Sequence, residues 1–151
     1  MKNLSWKKKI LLALAIVFIG IQCYKVDLKL TNNLPSEDLI AMYQPNAKIT
    51  SILKTACYDC HSNNTQFPWY NTISPAQWWL ADHINHGKKH LNFSAWGTYS
   101  NEKANHKLEE CFEELEKENM PLNSYTWTHS EARLSETQRS SLINWFSELR
   151  N

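Results

Sequence analysis

The stretch "TACYDCHSNNTQFPWY", Thr55 to Tyr70, sets two cysteines three positions apart with a histidine directly after the second. Upstream of it Ile49, Ile52, Leu53 and Ala56 recur at helical spacing and run into Cys57. The pattern predicts a helix from Ala47 that ends in the motif. On such a helix positions 57, 60 and 61 are i, i+3 and i+4, so two sulfurs and an imidazole leave the same face. One flat ligand could meet all three.

Four chemistries use such a pair. A dithiol switch places its C-x-x-C at a helix start after a strand, whereas this motif ends an apparent helix in an all-α chain. A zinc site would need distant completion by residues such as His83 and His86, because His61 lies too close to Cys60 to act as the usual second ligand pair. A Cys57–Cys60 disulfide suits an exported protein but leaves His61 without a role. A covalent haem uses all three residues, with thioether bonds from both cysteines to the vinyl edge and the adjacent histidine as proximal iron ligand. The motif, an export signal and the helical pattern favour haem c over its three rivals.

The chain of 151 residues has room for one modest domain. Seven Trp, six Tyr and five Phe against only three Gly argue for a compact all-α body and against a glycine-punctuated sandwich. The formal charge of +1 hides an asymmetry, since residues 1–22 hold four Lys and no acid. The remainder carries twelve basic and fifteen acidic groups. A mildly acidic body with no basic stripe among exposed aromatics excludes nucleic acid from the expected partners.

"MKNLSWKKK" is a basic flank, and "ILLALAIVFIGI", Ile10 to Ile21, is an uninterrupted apolar run. The expectation is an uncleaved anchor over 1–22 in the inner membrane, with the N-terminus cytoplasmic and everything after Cys23 periplasmic. Cleavage as a signal peptide is the alternative, because the run is shorter than the roughly 20 apolar residues of a full span. Residues 23–46, with two prolines, read as a tether holding one helical turn near Ser36 to Tyr43. The body is expected over 47–151.

Within the body, Ser74 as N-cap, Pro75 and Gln77 predict a capped helix reaching about His86 and stopping near Gly87, with Trp78, Trp79 and His83 on its inner face. "HLNFSAWGTYSN" reads as a loop. Ala104, Leu108, Cys111, Phe112 and Leu115 form the apolar stripe of a charged helix over Glu102 to Asn119, ended by Met120-Pro121. Ser135 and Gln138 predict a second capping box opening a terminal helix on Leu142, Trp145, Phe146 and Leu149. Cys111 reads as a buried free thiol.

"CYDCHSNNTQFPWY", "WWLADHINHGKKHLNFSAW" and "MPLNSYTWTHSEARLS", with the terminal helix, resemble the haem-binding domain family of small exported bacterial c-type cytochromes. The resemblance runs from the anchor to Trp145. It implies a mono-haem, cytochrome-c-like helical domain behind an N-terminal anchor, and it assigns no physiological role. Met120 resembles the Met-Pro distal ligand of small cytochromes c and is the expected sixth iron ligand, with His129 as runner-up and His83 and His90 behind it. Trp78 and Trp79, with Trp69, Trp96 and Trp127, are expected to wrap the porphyrin and exclude water. The expected function is single-electron transfer with redox partner proteins at the membrane, since no distal acid/base pair stands out. The alternative is a peroxidase or small-ligand sensor with an open sixth site.

Overall fold

The computed structural model describes residues 5–26, 28 and 35–150. Every regular element among them is helical, as the composition implied. Most of residues 27–34 of the expected tether, and the first four residues of the basic flank, lie outside the described residues. Two compact units divide the chain, one comprising residues 1–28 and 67–83, the other 29–66 and 84–151.

In the first unit, α1 (Trp6–Gln22) has no buried residue, and Leu11, Leu14, Val17 and Ile19 are all exposed. Its 17 residues rise about 26 Å, less than the roughly 30 Å of a bilayer's hydrocarbon core. Among the described residues no helix is long and apolar enough to cross a membrane, so the expected anchor folds as a helix of less than spanning length. The chain after α1 pairs with residues 72–78. Gln22 accepts from the Ser74 amide at 2.9 Å and donates to the Ser74 carbonyl at 3.0 Å. Gln77 Nε2 donates to the Val26 carbonyl at 2.8 Å, and Trp78 Nε1 to the Tyr24 carbonyl at 2.9 Å.

These contacts correct the reading of α5 (Ala76–His90). Its capping box does not form, because Gln77 reaches Val26 instead of the Ser74 backbone. The buried stripe is Gln77, Leu80, Ala81 and Ile84, at i, i+3, i+4 and i+7, while Trp79 is 48 % exposed. Apolar content pointed to the tryptophans; the helix instead buries its smaller residues. Nor does Gly87 stop the helix, which runs on to His90.

In the second unit, Asp38 caps α2 (Leu39–Tyr43) and Asn46 caps α3 (Ala47–Ala56), their side chains accepting from Ile40 and Ile49 amides. The expected helix into the motif breaks at Cys57, whose φ of −127° lies outside the helical region, and a separate short helix, α4 (Tyr58–His61), follows. After the last turns of α5, "NFSAWG" is not a loop but a 3-10 segment, Phe93–Thr98, that buries Phe93 and Trp96. Ser100 then caps α6 (Asn101–Glu116), α7 (Asn123–Thr126) is a single turn, and Ser135 and Gln138 form the predicted capping box of α8 (Glu136–Leu149). α6 and α8 pack along each other through Leu108, Leu115, Leu142 and Phe146.

The core is pinned by Asp38, fully buried at the end of what the sequence suggested was tether. Its carboxyl accepts from Ile40 N at 2.9 Å, Tyr58 Oη at 2.8 Å and Ser94 Oγ at 3.2 Å. One side chain thus joins the start of α2, the motif helix and the Phe93 segment. Removing it would leave several buried donors unpaired, each at about 1–3 kcal/mol. Asp38→Ala is therefore expected to lower the unfolding free energy by about 3 kcal/mol or more, read as a fall in the urea midpoint. A loss under about 1 kcal/mol would show that these bonds do not hold the core.

Candidate functional site

The motif turn is built by backbone bonds on both sides of the break. Cys57 N donates to the Leu53 carbonyl at 3.0 Å, and His61 N to the Cys57 carbonyl at 2.9 Å. Ser62 closes the turn by donating to the Tyr58 carbonyl, and the Asp59 carboxyl accepts from the Gln66 amide. Cys57, Cys60 and His61 therefore occupy one compact turn, though not one continuous helix face.

The His61 ring is held from α5. Its Nδ1 lies 3.1 Å from both the Gly87 and the Leu91 carbonyl oxygens. Carbonyls only accept, so Nδ1 must carry the proton and donate to both, which leaves Nε2 with its lone pair. Burial pushes the His61 pKa down, against the raising effect of the two carbonyls, and keeps the ring neutral. Glycine is required at 87 because a Cβ there would sit 2.6 Å from the Cys60 carbonyl oxygen. That close approach explains why Gly87 lies inside α5: it is a packing residue, not a terminator.

Aromatic rings back the imidazole. Phe93 meets His61 edge-on at 6.1 Å and stacks on Tyr58 at 5.4 Å, and Trp96 and Tyr99 continue the series. On the other side of the motif, Tyr125 Oη donates to Asp59 Oδ2 at 2.7 Å, and the His129 ring stacks on Tyr125 at 4.3 Å. His129 is thereby linked to the motif through two side chains. Met120 is half-buried just beyond α6. Its carbonyl accepts from Arg139 Nη1 at 2.9 Å, and the same nitrogen caps α6 at the Leu115 carbonyl. Glu118, with φ of +56°, turns the chain into this segment.

Trp78 and Trp79 belong to the first unit, the former bonded to Tyr24 and the latter packed on His83 at 4.2 Å. Trp96 is buried, whereas Trp69 and Trp127 are 79 % and 81 % exposed. Asp38, Leu91, Phe93, Tyr125 and Arg139 had no role in the sequence reading, and Gly87 entered it only as a helix stop. The only available signals were the "YD" between the cysteines and the phenylalanine-tryptophan spacing of "NFSAW".

The structure weighs on the rivals. Redox dithiols lower a thiol pKa, but burial pushes Cys57 up to about 12 and Cys60 to about 11. All four cysteines are free thiols. Among the described residues no group of three or more His, Cys, Asp or Glu is arranged to hold a metal ion, so a zinc site at the motif lacks protein ligands. A haem fits the residues present. His61 offers a neutral, oriented imidazole nitrogen, and the buried Asn64 Nδ2, which has no partner, offers a donor to an acceptor on a bound group.

Raising a thiol from 9.0 to about 11 cuts its thiolate fraction near neutrality about a hundredfold. Iodoacetamide should therefore modify a short unfolded cysteine peptide at least about a hundredfold faster than Cys60 in the haem-free chain, as followed by mass analysis. Equal rates would contradict the burial. Gly87→Ala should cost about 1–3 kcal/mol of stability by overpacking against Cys60 and release the His61 ring; an unchanged urea midpoint would show that the contact is slack.

No curated relative and no solved structure matches the chain. The family described as a haem-binding domain matches over residues 16–148, which takes in the motif, α5, Met120 and nearly all of α8. With an oriented imidazole beside two thiols, and a match covering most of its length, the chain belongs to the haem-binding domain family.

Proposed function

We propose that the chain is an exported c-type cytochrome that carries one covalent haem and transfers single electrons. The observation that carries this reading is the doubly held Nδ1–H of His61, which fixes the ring and leaves the Nε2 lone pair for an iron, in the same turn as Cys57 and Cys60. The haem supplies a one-electron iron couple. Cys57 and Cys60 tether it through thioethers, and their protonated thiols each provide the hydrogen that addition across a vinyl group requires. The Gly87 and Leu91 carbonyls would hold the His61 ring in one orientation against a bound iron. They also make its Nε2 more basic.

Met120 is the proposed sixth ligand. Arg139 fixes its backbone without occupying its side chain. A thioether stabilises ferrous iron and raises the potential, and a filled sixth position needs little rearrangement between oxidation states. The Tyr58, Phe93 and Trp96 rings exclude water behind His61, and burial of this kind tunes potential in the same sense. The lysine-flanked, exposed apolar surface of α1 supports export and association of the N-terminus with the membrane, with the haem-bearing body periplasmic and open to redox partner proteins.

Expression with a c-type maturation system should give a red protein whose haem survives acid acetone, and His61→Ala should abolish normal ligation. Haem released by acid acetone would reduce the reading to a non-covalent haem protein. The oxidised protein should show the weak sulfur-to-iron band near the red end of the spectrum, lost in Met120→Ala together with a fall in potential. An unchanged spectrum in that variant, with loss of low-spin character in His129→Ala, would replace Met120 by His129. A high-spin wild-type protein that binds carbon monoxide rapidly would replace the carrier by a sensor or peroxidase.

A further inference from the structure

The turn that holds His61 carries a pair of imidazoles on its exposed side. His86 and His90, four residues apart on α5, are both exposed, with their Nε2 atoms 3.3 Å apart and ring centroids 4.9 Å apart. Two neutral imidazoles can share one proton at that distance. They can equally share a metal ion. With Zn–N bonds of about 2.05 Å, nitrogens 3.3 Å apart subtend about 107° at the metal, close to the tetrahedral angle. A square-planar ion would need them about 2.9 Å apart at the same bond length.

The geometry points to a two-imidazole clip for a tetrahedral divalent ion, Zn²⁺ by class, spanning His86 and His90. Among the described residues no third protein ligand completes the site, so water fills the remaining positions. Binding at both Nε2 atoms requires each ring to keep its proton on Nδ1. Where one neutral ring carries its proton on Nε2, that proton moves to its own Nδ1 through solvent, and none is lost.

The clip has a mechanical consequence. Gly87 lies within the bridged turn, and glycine in a helix interior is less stable than alanine because its backbone loses more freedom on folding. The close approach to Cys60 nevertheless demands glycine, so the turn presenting the Gly87 and Leu91 carbonyls to His61 is intrinsically a weak one. An ion bridging residues 86 and 90 closes that turn from outside and holds both acceptors against the His61 proton. The site stands whether or not the haem is covalent, since it uses neither cysteine.

Calorimetric titration of the full chain with Zn²⁺ alone, compared with His86→Ala and His90→Ala, reads the site. Zinc taken by thiols is common to all three proteins and cancels in the comparison. Wild type should bind one equivalent more than the double variant. Loss even of an outer-shell partner weakens metal sites roughly 10–100-fold, so each single variant should weaken this equivalent by at least about tenfold. His106→Ala, whose ring pairs with Glu110, should change nothing, and Lys89→Ala should tighten binding by removing a neighbouring cation. Zinc should also slow solvent exchange of the His61 Nδ1–H in wild type only. Equal zinc binding by wild type and the double variant would overturn the site, and unaltered His61 exchange at saturation would overturn the coupling.

Discussion

A single ring proton of His61, shared between the carbonyls of Gly87 and Leu91, sets the requirements for much of the second unit. To be reached by one imidazole, the two carbonyls must stand one helical turn apart, so α5 must continue past residue 87. To bring that turn close enough, residue 87 must lack a side chain, because a Cβ would overlap the Cys60 carbonyl. To keep the motif from shifting, Tyr58 is tied to Asp38 and stacked on Phe93, and Asp59 is tied to Tyr125. The two residues between the cysteines thus face opposite anchors. The cysteines themselves are left free for chemistry.

Elements whose signal was local were legible in the sequence. The α8 capping box formed as spaced, because Ser135 and Gln138 have no competing partner. The same pattern at Ser74 and Gln77 failed because Gln22 and Val26 claimed both residues, a contact about fifty positions distant in sequence. The break at Cys57 was invisible to periodicity, since the apolar spacing upstream carries no record of where the chain turns. Tryptophans misled by size: burial went to Trp96 in an apparent loop, while Trp69 and Trp127 stayed exposed.

That Cys57, Cys60 and His61 share one turn was readable, because they stand within five residues of one another. The groups that orient the His61 ring were not. Two are backbone carbonyls, which no residue identity announces, and the third is a glycine that sequence logic reads as a stop. Asp38 escaped for a related reason, since its setting among polar residues and prolines suggested a solvated linker, whereas beside its local bond to the Ile40 amide it takes two donors, Tyr58 and Ser94, that tertiary structure brings to it. Arg139 likewise acts on Met120 through a carbonyl.

The account stands on the tautomer of one imidazole. Long-range ¹H–¹⁵N NMR on the haem-free, histidine-labelled chain reads it directly. The His61 ring should appear as a neutral Nδ1–H tautomer, with a slowly exchanging proton and an unprotonated Nε2. An Nε2–H tautomer, or a rapidly averaging mixture of the two, would contradict it, because the carbonyls of Gly87 and Leu91 would then not be holding the ring that is meant to bind the iron.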